Sequence, residues 1–296
     1  MQAFLWMAGS AVLFALMNLF ARLASAHAHF TVVGAMRATV GFLVAVAVAR
    51  ARGVSLVVKD RRRMALRSGF GTLAMMATFY TLSRSELPLG DAATLFNLAP
   101  LGVALLSPLV LGETIGRRVV FSLVVSLAGV ALVLRPSFLF GAGTAQAPGA
   151  TTAAGFAILA ACLSSVAMTM LRRVGQSESA ETIAVHFSWF AAAVFWLLSV
   201  PTLRAGLGAA FFDATTVGEM VVAGLCAGFA QIAMTRAYGL ASAARVSSMG
   251  YLNVVASALL GALGTGHIPT LSASFGMLLV VAGGLLVTFG GELRKI

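Results

Sequence analysis

Ten apolar segments, each about as long as a bilayer is thick, are separated along the chain by short polar stretches. A membrane-spanning helix needs ~20 mostly apolar residues to cross ~30 Å of hydrocarbon. Because backbone amides cannot stay unpaired in lipid, the pattern predicts an all-α integral membrane protein with ten transmembrane helices. The spans lie near residues 3–24, 30–49, 64–83, 88–111, 117–134, 152–172, 179–200, 216–237, 241–263 and 270–290.

The two halves of the chain are similar to each other at a shift of 154 residues. Residues that recur at this shift include Leu98, Ala104, Leu105, Leu106, Phe121, Ala128, Gly129, Leu132 and Val133. Five spans in each half force the second copy to enter the bilayer from the opposite side. Inverted repeats are typical of transporters with a site near the midplane. We therefore expect a 5+5 inverted repeat around a central cavity. Residues 1–135 form the first repeat, 136–151 a periplasmic linker and 152–296 the second repeat.

The basic residues predict the orientation. The chain is 60% hydrophobic and 10% charged, with a net charge of +11. If the loop after the second span is cytoplasmic, 15 of the 20 basic residues lie inside, Arg67 among them, and three lie outside. This bias predicts a multi-pass protein of the bacterial inner membrane with both termini cytoplasmic. Topology and contact with lipid account for the charge, so no nucleic-acid partner is expected.

Several classes of chemistry have no support in the sequence. It shows no serine hydrolase elbow, phosphate-binding loop or metal-binding Cys/His spacing, so we expect no enzyme activity, cofactor or metal. The nine acidic residues all fall at span ends or in loops. Carriers coupled to protons or sodium often hold a carboxylate deep in the bilayer. Facilitated passage of the substrate down its own gradient is therefore the simpler hypothesis.

Polar and aromatic residues at helical spacing predict the lining of the cavity. Such a neutral, partly aromatic lining suits a small amphipathic organic molecule, although each residue could instead bond to a neighbouring helix. Asn97 and Tyr251 are related by the repeat, so we expect them to face each other across the centre. The first candidates are Asn18, Tyr80, Asn97, Tyr251 and Ser248, and the next are Phe14, Met76, Gln231 and Tyr238.

Two arginines, Arg22 and Arg37, lie within the first two spans, where a cation must face protein, water or the membrane surface. Their candidate partners by depth are Glu86, Asp91 and Glu219. We expect these five residues to form structural ion pairs or an outer gate. The alternative for the arginines is a docking point for a substrate carboxylate.

Three local features carry further expectations. Pro100 removes a backbone hydrogen bond in the middle of the fourth span and predicts a kink. Gly224 and Gly228 predict close helix packing, with a flexing role as the alternative. Residues 203–212 could form a surface helix in an outer loop.

Short motifs follow one another in the same order in the two halves. The first half has Phe79-Tyr80-Thr81-Leu82, Pro100, Gly112-Glu113 and Ala128-Gly129-Val130, and the second has Ala237-Tyr238-Gly239-Leu240 and Ala282-Gly283. This order resembles the EamA-type ten-helix branch of the drug/metabolite transporter superfamily. The second half departs from the pattern, with His267 opposite Glu113 and Val254 opposite Pro100.

The resemblance implies an exporter that works by alternating access on a small-molecule substrate. Amino acids, aromatic or otherwise apolar, and related metabolites are the expected cargo, as in the YddG-type aromatic amino acid exporters. The protein would act as a monomer or a homodimer. Efflux of drugs or cationic compounds is the alternative, and a membrane scaffold or intramembrane enzyme is the alternative without transport.

Overall fold

The structure is a computed structural model, and it describes residues 1–84, 86–87, 89–141, 149–206, 213–265 and 269–289. Within these ranges the regular structure is helical, as the apolar pattern predicts. A π-helical turn, Ser107–Leu111, follows α5. The helices are α1 (Gln2–Ser25), α2 (Phe30–Ala51), α3 (Arg61–Leu82), α4 (Leu89–Phe96), α5 (Ala99–Leu106), α6 (Arg117–Leu134), α7 (Ser137–Phe140), α8 (Ala150–Val174), α9 (Ala180–Arg204), α10 (Ala214–Leu240), α11 (Ala243–Met249), α12 (Leu252–Thr265) and α13 (Leu271–Phe289).

Ten helical segments correspond to the ten predicted spans. Within the described ranges, nine are long and apolar enough to cross a membrane, two of them built from consecutive pieces, α4–α5 and α11–α12. The tenth is α3, which has 22 residues but a lower hydropathy, since it carries Arg67 and the run Arg61–Arg63. The prediction of an all-α, ten-span membrane protein is confirmed.

The helices pair mainly between the two halves of the chain. α1 packs on α10, α3 on α8, α2 on α9 and α6 on α13. By order along the chain, the first-half helices α1, α2, α3 and α6 correspond to α8, α9, α10 and α13 of the second half. When each helix is replaced by its counterpart, the α1–α10 pair becomes the α8–α3 pair, and the α2–α9 and α6–α13 pairs stay the same. This is the pairing that a 5+5 inverted repeat requires.

Close approach of α2 and α10 depends on small residues. A Cβ atom on Gly224 would lie 2.5 Å from Cβ of Val40, and one on Gly228 would lie 2.7 Å from Cβ of Val44. Neither valine can retreat without moving its helix. The packing role predicted for the two glycines is confirmed.

The chain begins and α13 ends at the same end of the bundle. Met1, Arg245 and Thr288 line a groove of about 370 Å³ there. We call this end the amino-terminal face and the other end the opposite face. Consecutive spans run antiparallel between these two faces, as their short connections require.

Several predicted connections lie partly outside the described residues. Leu203 belongs to the last turn of α9, whereas 207–212 of the predicted surface helix, 142–148 of the linker and His267 are outside the described ranges. α10 begins directly after Asp213, whose carboxylate accepts the N–H of Thr216 at 3.0 Å. This hydrogen bond holds the pKa of Asp213 below its usual range.

Candidate functional site

Two of the ten spans are interrupted in the middle, one in each half of the chain. In the fourth span α4 ends at Phe96 and α5 begins at Ala99, with Pro100 in its first turn, where the missing N–H is tolerated. In the ninth span α11 ends at Met249 and α12 begins at Leu252. The irregularity predicted at Pro100 is present as an interruption of the helix at residues 97–98, where Leu98 keeps right-handed helical angles of φ −73° and ψ −17°. The ninth span breaks as well, although no proline stands at the matching position.

The breaks bring two helix amino-termini to the middle of the bundle. α5 and α12 both start there and run toward opposite faces. The amino-terminus of a helix carries a partial positive charge. Asn97 lies in the first break and donates from Nδ2 to the carbonyl oxygen of Ala93, 2.7 Å away. Transporters commonly bind the polar groups of their substrates beside interruptions of this kind.

Side-chain hydrogen bonds hold each break against a helix of the other repeat. Asn253 donates from Nδ2 to the carbonyl oxygen of Ala11 at 3.0 Å, which joins α12 to α1. Oγ of Ser165 lies 3.0 Å from the carbonyl oxygen of Ala99, which joins α8 to α5. These positions are related by the 154-residue shift, so the two contacts are symmetry mates.

Four of the predicted cavity residues lie between the middle of the bundle and the opposite face. The ring centroid of Tyr80 is 4.5 Å from that of Phe156, so α3 and α8 meet there through two aromatic side chains. Phe14 and Met76 are half-buried beside apolar clusters of the interior. Asn18 is exposed. Phe14 and Asn18 lie one turn apart on α1, and Met76 and Tyr80 lie one turn apart on α3.

Three other predicted cavity residues, Tyr238, Ser248 and Tyr251, are buried in the interior. Tyr251 is fully buried against α5, α6 and α13, and its hydroxyl has no hydrogen-bond partner among the described residues. Ser248 donates to the carbonyl oxygen of Arg245 at 2.9 Å. Tyr238 is buried in an apolar cluster. The described structure joins Asn97 and Tyr251 by no hydrogen bond, since Asn97 bonds to its own helix and Tyr251 faces away toward α6 and α13.

A narrow cavity lies between α2, α3, α9 and α10. The centre of a water-sized sphere can occupy about 10 Å³ of it, which is room for about one water molecule. Its polar lining consists of Arg37, Ser188 and Gln231, and its apolar lining includes Met75 and Phe187. Gln231 is thus one of the predicted cavity residues that lines an observed cavity. The space accepts a small polar group, but in this conformation it is too narrow for a whole amino acid.

Arg37 reaches this cavity from α2. Its Nε lies 2.8 Å from Sδ of Met17, and its Nη1 contacts Sδ of Met75. A thioether is a weak hydrogen-bond acceptor. The guanidinium group therefore keeps the capacity to bind a stronger acceptor.

The amino-terminal face is closed by charges and by apolar side chains. Arg172 pairs with Glu113 at 2.8 Å, which links the end of the fourth span to α8. Arg236 pairs with Glu181, which links α10 to α9. Beneath these pairs lies an apolar cluster contributed by most of the spans. Its members include Met7, Met64, Leu171, Val174, Ile183, Met234, Tyr238, Val246 and Met249.

Comparison with known proteins places the first half of the chain in a family. Residues 1–135 match the EamA-like transporter family. This segment is similar to an EamA-like transporter domain, and we call it the EamA-like domain. The matched segment coincides with the five spans of the first repeat, and it includes the break at Pro100.

The likeness to known transporters extends beyond the EamA-like domain. The chain is 29% identical over 273 residues to the pseudopaline exporter CntI of Pseudomonas aeruginosa, covering 91% of this chain and 90% of that protein. It is 24% identical to an uncharacterized transporter of Helicobacter pylori, over 79% of this chain and 76% of that one. A solved crystal structure superposes with a TM-score of 0.81 at 21% identity, covering 99% of both chains, and shows the same fold. Together these findings support a multi-pass membrane transporter.

The ion pairs expected near the opposite face are not present among the described residues of the EamA-like domain and the second half. Asp91 accepts hydrogen bonds from the N–H and hydroxyl of Ser137 and so holds the start of α7. Glu86 and Glu219 each have a buried carboxylate oxygen without a partner. Arg22 is exposed. Arg37 contacts two methionines, as described above. These arginines and acidic residues lie at similar depths in the membrane, but their side chains do not meet.

One functional candidate was missed by the sequence analysis. Arg67 is only 2% exposed, although the charge count assigns it to the cytoplasmic side. It lies in the second turn of α3, near the end of the EamA-like domain's third span that meets the amino-terminal face. The signal was its position beside Ser68 and one turn before Thr72, which gives α3 a polar face inside an apolar span.

Proposed function

We propose that this chain exports amino acids with aromatic or other apolar side chains, and related small metabolites, by alternating access. The observation that carries the proposal is the pair of central helix breaks at Asn97 and Tyr251, in repeat-related spans. Transporters bind substrate beside such breaks, where helix termini meet its polar groups. The likeness to a pseudopaline exporter supports export of a small metabolite.

The pathway of the proposal runs along α1 and α3. Tyr80, Phe14 and Met76 supply aromatic and thioether surface for an apolar side chain, and Asn97 and Gln231 orient the polar end. Asn18 lies at the opposite-face end of this path. Tyr238, Ser248 and Tyr251 are buried in the observed conformation, and the proposal requires that they become accessible when the amino-terminal face opens.

The proposal places the amino-terminal face in the cytoplasm of a bacterium, in the inner membrane. The observed conformation then corresponds to a carrier closed on the cytoplasmic side by Glu113, Arg172 and the apolar cluster. Opening of this face and closing of the other would move the substrate outward. Facilitated transport fits the acidic residues, which lie at span ends, and the carrier would work as a monomer or a homodimer.

Reconstitution into liposomes tests the proposal. Labelled phenylalanine, methionine and threonine should exchange across the membrane, and a cationic dye should not. Tyr80→Ala and Asn97→Ala should each lower the exchange rate about tenfold, the equivalent of ~1.4 kcal/mol in binding. Phe121→Ala is the matched control, because Phe121 is an aromatic residue on the exposed face of α6.

The outcomes separate the alternatives. Transport of the dye without amino acids would favour drug efflux, against which the interior cations Arg37 and Arg67 argue. No flux of any compound would favour a scaffold or an intramembrane enzyme. Stoichiometric proton flux with the substrate would reject facilitated transport. Normal rates in both variants would remove Tyr80 and Asn97 from the pathway.

A further inference from the structure

Arg67 is a cation without a counter-ion in the interior of the protein. Its Nε and Nη1 are buried and have no hydrogen-bond partner within the described residues. Its guanidinium carbon lies 4.3 Å from the ring centroid of Phe187, a contact that leaves the N–H donors unsatisfied. Uncompensated burial of a charged side chain is strongly unfavourable. These two N–H-bearing nitrogens therefore keep the capacity to bind an acceptor.

Two hydroxyl groups beside Arg67 are unsatisfied as well. Oγ of Ser68 and Oγ1 of Thr72 are buried without a partner in the described part of the chain. They lie one turn apart on α3: Ser68 directly follows Arg67, and Thr72 directly follows Gly71, beside which Nη1 of Arg67 lies. Arginine can only donate, and both hydroxyls can donate. An acceptor with several lone pairs suits such donors, and a carboxylate has this property.

No acidic residue of the described chain supplies that carboxylate. The ion pairs within the described ranges join Arg52 and Arg236 to Glu181, Arg63 to Asp60 and Arg172 to Glu113. None of them involves Arg67, whose guanidinium stacks on the ring of Phe187. A carboxylate that paired with Arg67 would therefore not be one of the described acidic residues in their observed positions.

Phe187 connects this cluster to the narrow cavity. Its ring receives the Arg67 guanidinium and also lines the cavity together with Arg37 and Gln231. Gly71 makes the arrangement possible, because a Cβ atom there would collide with Nη1 of Arg67 and lie 2.9 Å from Phe187. The ring of Phe187 therefore separates Arg67 from the polar cavity between the four spans.

We propose that Arg67, Ser68 and Thr72 form a binding site for the carboxylate of the transported molecule. The site rests on the proposed export function and deepens it, because it names the carboxylate as the group of the cargo that the protein recognises. When the amino-terminal face is open, the cargo carboxylate pairs with Arg67 and replaces the contact with Phe187. Neutralising Arg67 in this way lowers the free energy of burying it, so cargo favours closure of that face.

The test uses the purified full-length protein in nanodiscs and acetate as the probe. Sodium chloride is replaced stepwise by sodium acetate at constant ionic strength, and the unfolding midpoint Tm is measured. We expect acetate to raise Tm by about 2–4 °C relative to chloride. Neutral acetamide at the same concentrations should leave Tm unchanged. No difference between acetate and chloride would overturn the proposal, because the site would then not be specific for a carboxylate.

Variants identify the residues that bind acetate. Arg67→Gln should abolish the acetate effect, and Arg62→Gln, at an exposed arginine of the same helix, should keep it. Thr72→Val provides a milder change that should reduce the effect if Arg67→Gln does not fold. An acetate effect that persists unchanged in Arg67→Gln or in Thr72→Val would overturn the proposal.

The transport assay separates this inference from the proposed function. Phenylalaninamide lacks the carboxylate of phenylalanine, so its exchange should be at least tenfold slower in the wild type and should approach that of phenylalanine in Arg67→Gln. An acetate effect in a protein that moves no amino acid would reject the function and keep the site. Equal exchange of the acid and the amide by the wild type would reject the site and keep the function.

Discussion

Nε of Arg172 lies 2.8 Å from Oε1 of Glu113, and this ion pair fastens the end of the fourth span to the second repeat. The other carboxylate oxygen, Oε2, accepts the N–H of Ala243 at 2.8 Å, at the start of α11. Arg172 also donates from Nη1 to the carbonyl oxygens of Tyr238 and Gly239, each at 3.0 Å. A single carboxylate therefore ties three segments together at the amino-terminal face.

Glu113→Gln should weaken this closure. The amide keeps the shape of the side chain but loses the charge-assisted hydrogen bond, which is worth about 1.5–3 kcal/mol when partly buried. The amino-terminal face should open more often. A cysteine at Val246, which is fully buried in the cluster at that face, should then react faster with a thiol reagent than it does in the Glu113 background.

Asp60→Asn is the matched control for Glu113→Gln. Asp60 pairs with Arg63 at 3.1 Å on the same face, but both side chains are largely solvated. Exposed pairs of this kind contribute about 0–1 kcal/mol. Equal labelling rates at Val246→Cys in the Glu113→Gln and unmodified backgrounds would show that the ion pair does not control opening.

Gly276→Ala should destabilise the contact between α6 and α13. A Cβ atom at position 276 would lie 2.6 Å from the carbonyl oxygen of Gly129, and this backbone atom cannot rotate away. Overpacking of this kind costs about 1–3 kcal/mol. Gly9→Ala is the control, because a Cβ atom there meets nothing within 4 Å. Reversible unfolding in detergent measures both, and an unchanged stability in Gly276→Ala would contradict the observed packing.

Orientation in the membrane can be tested by cysteine labelling. With Cys162 and Cys226 replaced by alanine, Ser25→Cys at the opposite face should react with an impermeant maleimide in intact cells. Ser55→Cys, in the loop before the arginine run that begins α3, should react only after permeabilisation, because positively charged loops stay in the cytoplasm. The reversed result would mean that both termini lie outside.

The parts of the fold that could be predicted from sequence depend on local pattern. Hydropathy located the spans because each must be apolar over its whole length. The break at Pro100 followed from a missing N–H, and the packing at Gly224 from a missing side chain. The break beside Tyr251 has no such signal. The sequence there offers only Gly250, so its interruption was visible only in three dimensions.

The candidate site was harder to predict because it depends on which side of each helix faces which neighbour. Periodicity gave the depth of Arg37 and Asp91, but depth alone does not pair side chains, and the two residues found other partners. Arg67 was counted as a cytoplasmic charge because it stands close to the arginine run of α3. Only its packing on Phe187 shows that it belongs to the interior.

The symmetry-related hydrogen bonds at the two breaks predict unequal effects. Asn253→Ala removes the bond to the carbonyl oxygen of Ala11 and should cost about 0.5–1.5 kcal/mol. Ser165→Ala should cost less, since its hydroxyl is shared between the carbonyl oxygens of Ala99 and Ala161, at 3.0 and 2.8 Å. Both variants loosen a break, so both should lower exchange of phenylalanine in liposomes.

Ser199→Ala is the control for these two variants. The hydroxyl of Ser199 donates within α9 to the carbonyl oxygen of Phe195 at 2.8 Å, so its loss frees no contact between helices. The effects of Asn253→Ala and Ser165→Ala should add to within about 0.5 kcal/mol in the double variant, because they share no partner. A strong coupling between them would mean that the two breaks move as one unit, and the repeats would then not act as separate halves.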